Sequence, residues 1–118
     1  MYRIAKKFPF SAAHQMPKLP PTHKCARLHG HNYTVEVILE SATLNEVGFV
    51  RDYAELDALR DYINEKFDHR HLNDILGDDK TTAEHLAHHF YEWCKTQWPE
   101  VSAVRVSENI NSWAEYRA

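Results

Sequence analysis

Two cysteines in 118 residues, Cys25 and Cys94, are too few for a disulfide framework, and a reducing compartment keeps both as thiols. No apolar stretch approaches the roughly 20 residues that a membrane span requires. The opening MYRIAKKFPF lacks the apolar core and small-residue cleavage site of a signal peptide, so a cytoplasmic protein with no membrane partner is expected. No Lys/Arg run marks a basic groove, and a formal charge of -3 with mixed signs gives nucleic acid no long-range attraction. Repeats, low-complexity tracts and linkers are also missing. The expectation is one domain over residues 1–118, long enough for its own core and too short for two.

What is abundant is histidine, nine residues, a composition that points to metal binding or proton transfer. Their placement follows from the hydrophobic pattern. Tyr2, Ile4, Phe8, Phe10, Ala12 and His14 alternate, predicting a strand over residues 2–14 whose apolar face ends at His14. Pro17, Pro20 and Pro21 make residues 15–28 a long loop. Alternation returns with His29, His31, Tyr33, Val35, Val37 and Leu39 on one face of a second strand, paired antiparallel with the first. Asp52 with Glu55 and the spacing of Leu56, Leu59, Ile63 and Phe67 predict a helix over 53–66. Thr81 with Glu84 forms a second capping-box pattern, and Leu86, Ala87, Phe90 and Trp93 carry a helix over 82–97 to the stop at Pro99. Val104, Val106 and Glu108 share a face of a third strand; after a turn at 109–111, residues 112–116 form a fourth. The predicted class is α+β: an antiparallel four-stranded sheet, two helices on one face, order ββααββ. Strands this long with an uncovered face and open edges are a liability in a monomer, so a homo-oligomer is expected.

His29 and His31 leave the same strand face, and His14 ends the neighbouring strand, so all three imidazoles are candidates for one ion. Three neutral imidazoles with an open fourth position make a catalytic zinc site, whereas a structural site closes with four protein ligands. The plain alternative for His29-Gly30-His31 is a solvent-facing pair. Cys25, four residues before His29, is either a fourth ligand or a base; a nearby dication with Arg27 and Lys24 favours its thiolate. Cys94 lies beside an apolar helical stripe and reads as packing. Asp68 and His69 form a potential carboxylate-imidazole acid/base pair, or a simple loop. Glu108 stands where the alternation calls for an apolar group. An inward carboxylate needs paired donors, supplied either by the N–H/NH2 edge of a pterin or guanine or by an arginine on a neighbouring strand. His85 and His89 are spaced for a second metal pair but are read as surface or supporting groups, with His23, His71 and His88.

Taken together, Phe10-Ser11-Ala12-Ala13-His14, Cys25-Ala26-Arg27-Leu28-His29-Gly30-His31-Asn32-Tyr33, Asp68-His69 with Leu72-Asn73, Thr81 to Glu84, and Glu108 resemble, in order and spacing, the 6-pyruvoyl- and 6-carboxytetrahydropterin synthase family. The resemblance covers nearly the whole chain. It implies a tunnelling fold (T-fold), in which the sheets of three subunits close into a barrel and two rings stack as a hexamer, a dimer of trimers. It also implies that His14, His29 and His31 hold Zn2+, that Cys25 is the base, and that Asp68 and His69 are a further acid/base pair drawn from a neighbouring subunit. Glu108 corresponds to the carboxylate that anchors the pterin. The short gap from Cys25 to His29 resembles the bacterial carboxy-forming enzymes, since the pyruvoyl-forming ones have a longer gap.

The implied reaction converts 7,8-dihydroneopterin triphosphate and water to 6-carboxy-5,6,7,8-tetrahydropterin, acetaldehyde and triphosphate, on the route to queuosine. Arg27 and Lys24 are candidates for the triphosphate on charge alone. The alternatives are a pyruvoyl-forming synthase acting on the same substrate and a non-catalytic binding module with a closed zinc site.

Overall fold

The computed structural model describes residues 1–118. Alternating apolar residues build two 13-residue strands, β1 (Tyr2–His14) and β2 (His29–Ser41), antiparallel along their whole length from the Tyr2–Ser41 pair to the His14–His29 pair. Between them, the loop of residues 15–28 is closed by Met16 N–H donating to the Cys25 carbonyl at 2.9 Å, and it carries one short 3-10 turn at Lys24–Ala26.

The helix predicted over 53–66 is a 3-10 turn, Tyr53–Leu56, running into the α-helix α1 (Asp57–Lys66). Asp52 does cap this segment, its carboxylate accepting from Ala54 N–H at 2.9 Å, but Glu55 does not close a capping box and instead meets Arg51 at 3.1 Å. The chain then forms a two-residue strand β3 (Arg70–His71) and a short helix α2 (Leu72–Leu76), followed by α3 (Ala83–Gln97), β4 (Val101–Asn109) and β5 (Ser112–Tyr116). The cap of α3 is Thr82, whose hydroxyl accepts from His85 N–H at 3.2 Å; Thr81 is buried and serves elsewhere.

The sheet therefore has five strands in the order β3-β1-β2-β4-β5, with β3 parallel to β1 and every other pair antiparallel. The expected four strands are present. The fifth was invisible to pattern reading because two residues cannot show a period, and because Arg70 and His71 are polar. One sheet face and the helices enclose a single core, in which Phe8, Phe10, Val35, Val37, Val104 and Val106 meet Leu59, Ile63, Leu86 and Phe90. Burying each such side chain contributes about 1.5–3 kcal/mol. Phe10 stacks on Tyr33 at 4.8 Å between ring centroids, so the core reaches the level of the histidines and fixes the strand ends that carry them.

Candidate metal centre and active site

Where β1 and β2 run out of apolar residues, His14, His29 and His31 continue the core-facing alternation and converge. Ring centroids lie 4.6 Å apart for His14 and His29, 5.2 Å for His14 and His31, and 4.9 Å for His29 and His31. One nitrogen from each ring lies within 4.8 Å of the other two, and no thiol or carboxylate belongs to that group. Backbone carbonyls set the tautomers. His14 Nδ1 lies 2.8 Å from the Thr81 carbonyl and His29 Nδ1 2.7 Å from the Arg27 carbonyl. A carbonyl only accepts, so each Nδ1 carries the proton and each Nε2 keeps its lone pair. The Nε2 atoms of His14, His29 and His31 are all buried without a hydrogen-bond partner. Buried polar atoms are normally satisfied, and the orphaned lone pairs of His14 and His29, which face the His31 ring, favour a cation among the three. Burial lowers the pKa of His14, an effect only partly offset by the Thr81 bond and the Glu108 charge, and this keeps the ring neutral as a ligand requires.

Glu108 keeps the inward orientation that the alternation predicted, one step beyond the Thr34–Ser107 pair. Its Oε2 lies 3.4 Å from His31 Nε2, and no arginine or lysine pairs with it. The neighbouring Arg105 is engaged with Glu115 at 2.8 Å and with Glu36 at 3.8 Å. No arginine of a neighbouring strand, the alternative for Glu108, pairs with it either. Tyr33 lies beneath the triad with its hydroxyl buried and unpartnered, and burial together with the Glu108 charge raises its pKa.

Asp68 follows α1, where Ser11 N–H donates to its Oδ1 at 2.9 Å and His69 Nδ1 donates to its Oδ2 at 2.8 Å. The Ser11 bond, then the His69 bond, hold the Asp68 carboxyl below the ordinary carboxylate range. His69 has a φ of 59°, a left-handed conformation that costs a non-glycine residue about 1–3 kcal/mol. Its N–H is tied to the Ser11 carbonyl at 2.6 Å. The exposed imidazole and the backbone of β1 and β2 line an open cleft of about 530 Å³ that His31 also reaches.

Cys25 is half-buried in its 3-10 turn, held by His23 Nδ1 accepting from Cys25 N–H at 3.0 Å, and it is not one of the converging ligand atoms. Lys24 and Arg27 are exposed and line neither cleft at Gly30-His31-Asn32. Pattern reading missed two positioning groups. The Thr81 carbonyl holds His14, and a backbone oxygen leaves no mark on residue type. Buried Asn73 clamps the end of β1, accepting from Gln15 N–H at 3.0 Å and donating to the Gln15 carbonyl at 2.8 Å.

Comparison with known proteins agrees with this geometry. A family model described as 6-pyruvoyl tetrahydropterin synthase matches residues 3–118. The chain is 36% identical over 108 aligned residues to a putative 6-carboxy-5,6,7,8-tetrahydropterin synthase of Archaeoglobus fulgidus, covering 92% of this chain and 89% of the relative. It is also 36% identical over 122 aligned positions to the 6-carboxy-5,6,7,8-tetrahydropterin synthase of Synechocystis sp., covering 98% and 93%. The solved Caenorhabditis elegans 6-pyruvoyl tetrahydropterin synthase superposes with a TM-score of 0.86 at 25% identity, covering 99% of this chain and 95% of that one. A T-fold sheet ending in three converging imidazoles and a match from the third residue to the last lead to one assignment: the chain belongs to the 6-pyruvoyl tetrahydropterin synthase family.

Proposed function

We propose that this protein is a zinc-dependent lyase converting 7,8-dihydroneopterin triphosphate and water to 6-carboxy-5,6,7,8-tetrahydropterin, acetaldehyde and triphosphate, in the 7-deazaguanine pathway to queuosine. The observation that carries the reading is the set of three buried Nε2 atoms on His14, His29 and His31, none of them hydrogen-bonded, beside a carboxylate that no arginine or lysine pairs with. Three neutral imidazoles suit zinc. Bound there, the metal supplies Lewis acidity toward the substrate's side-chain hydroxyls.

The chain's own groups divide the remaining tasks. Glu108, facing an adjoining cleft of about 440 Å³, accepts from the paired N–H and NH2 donors of a pterin. Cys25, left out of the ligand group, is available to remove and return protons on the side chain. Asp68 holds His69 through Nδ1 and leaves Nε2 to transfer a proton; as the family resemblance implies, this pair serves a neighbouring subunit's site in the assembled ring. The 36% identity to two relatives named as carboxy-forming synthases favours that product over the pyruvoyl one. The test is incubation of metal-replete protein with dihydroneopterin triphosphate and mass-spectrometric identification of products. Carboxytetrahydropterin with acetaldehyde supports the proposal, and pyruvoyltetrahydropterin refutes it.

A further inference from the structure

Two open clefts meet at Gly30, His31 and Asn32 and differ in charge. The one that ends at Glu108 has no basic residue in its lining beyond His31. The other, of about 530 Å³, is lined by His31, His69, Arg70 and His71 and by no carboxylate. Arg70 gives one guanidinium nitrogen, Nη2, to the Glu65 carbonyl at 2.9 Å and forms no ion pair, so its remaining donors are uncommitted. His71 sits on the same short strand, with Nδ1 3.5 Å from Asp74 Oδ2, while its Nε2 is buried and has no partner. His69 has a closer carboxylate, with Nδ1 hydrogen-bonded to Asp68 Oδ2 at 2.8 Å, whereas the His71–Asp74 contact is not a hydrogen bond and leaves the His71 proton free to sit on Nε2. An imidazole that carries its proton on Nε2 offers an N–H to an approaching anion.

We propose that Arg70 and His71 form a polyphosphate subsite, which receives the triphosphate of the substrate and holds it as a leaving group. The inference rests on the functional reading above. If His69 acts on the substrate side chain, the phosphates joined to that side chain must lie beside it. Arg70 and His71 form the short strand that directly follows His69, so they accompany it into whichever subunit's site it serves. A planar guanidinium with free donors suits phosphate oxygens, and an unpartnered buried nitrogen gains the hydrogen bond it lacks. Lys24 and Arg27, the cations that sequence alone nominated, lie outside this cleft.

The experiment is calorimetric titration of the metal-loaded protein with inorganic tripolyphosphate and, separately, with neopterin, which carries no phosphate. Metal content is measured after each titration. Arg70→Ala and His71→Gln should each weaken tripolyphosphate binding at least tenfold and raise KM for dihydroneopterin triphosphate similarly, leaving neopterin affinity and metal content as in the wild type. His71→Gln keeps a polar side chain of similar length, so it reports on the cleft even if Arg70→Ala perturbs folding. Unchanged tripolyphosphate affinity in both variants, or its loss only in the Lys24→Ala/Arg27→Ala double variant, overturns the proposal. Failure of the catalytic reading looks different: no turnover and no neopterin binding in the wild type, with tripolyphosphate binding that still depends on Arg70 and His71.

Discussion

His14 Nδ1 donates to the Thr81 carbonyl at 2.8 Å, and this bond turns Nε2 toward the other two imidazoles. His14→Ala and His31→Ala should each lower metal content from about one ion per chain to near zero, because two imidazoles seldom hold zinc against dilution. Elemental analysis after gel filtration checks this. Retention of stoichiometric metal by both variants would remove the triad from the account.

Cys25→Ala should retain metal and bind neopterin normally while losing turnover by roughly 10²–10⁴-fold, the range for removal of a proton-transfer group. Steady-state kinetics with parallel metal analysis separates the two effects. Turnover near the wild-type value would exclude the thiol from the chemistry.

Glu108→Gln replaces one acceptor oxygen by a donor and discards the charge that a pterin's paired donors require. Hydrogen bonds to charged groups are worth about 1.5–3 kcal/mol, so neopterin affinity should fall roughly 10- to 150-fold with metal content unchanged. Fluorescence titration measures it directly.

Asp68→Asn can still accept from Ser11 N–H but presents an amide NH2 where His69 Nδ1 needs an acceptor. The ring loses its anchor, so kcat should drop by about 10²-fold or more with little change in KM. A change confined to KM would assign the pair to binding alone.

Burial lowers the pKa of both His14 and His89, the latter further depressed by His88. For a group whose folded pKa lies below its unfolded value, the unfolded chain binds more protons between the two values, so stability rises with pH. Metal-free protein should therefore lose Tm as pH falls from about 6.5, the ordinary histidine value, through the lowered folded pKa, and level off below it. His89→Gln should flatten part of that slope. A Tm independent of pH across this window in the metal-free wild type would contradict the assignment.

The long strands were legible because alternation over 13 residues is an unmistakable period, and the same alternation brought His14, His29 and His31 together, while the shorter β4 placed Glu108 beside His31. Leu56, Leu59, Ile63 and Phe67 marked a helical stripe but not the 3-10 start of its segment, since both helix types bury residues three or four apart. Thr81 and Thr82 are adjacent hydroxyls, and only the turn of the backbone decides which one caps α3. The β3 strand and the Asn73 clamp depend on contacts with β1 that are distant in sequence, leaving no local pattern.

The central claim is that three imidazoles bind one metal ion while Cys25 stays free of it. X-ray absorption spectroscopy of the zinc-loaded protein tests this most directly. The account predicts imidazole scattering from three histidines plus one exchangeable oxygen, and no sulfur shell. A persistent Zn–S distance near ~2.3 Å would make Cys25 a fourth ligand, close the site and contradict the enzyme assignment.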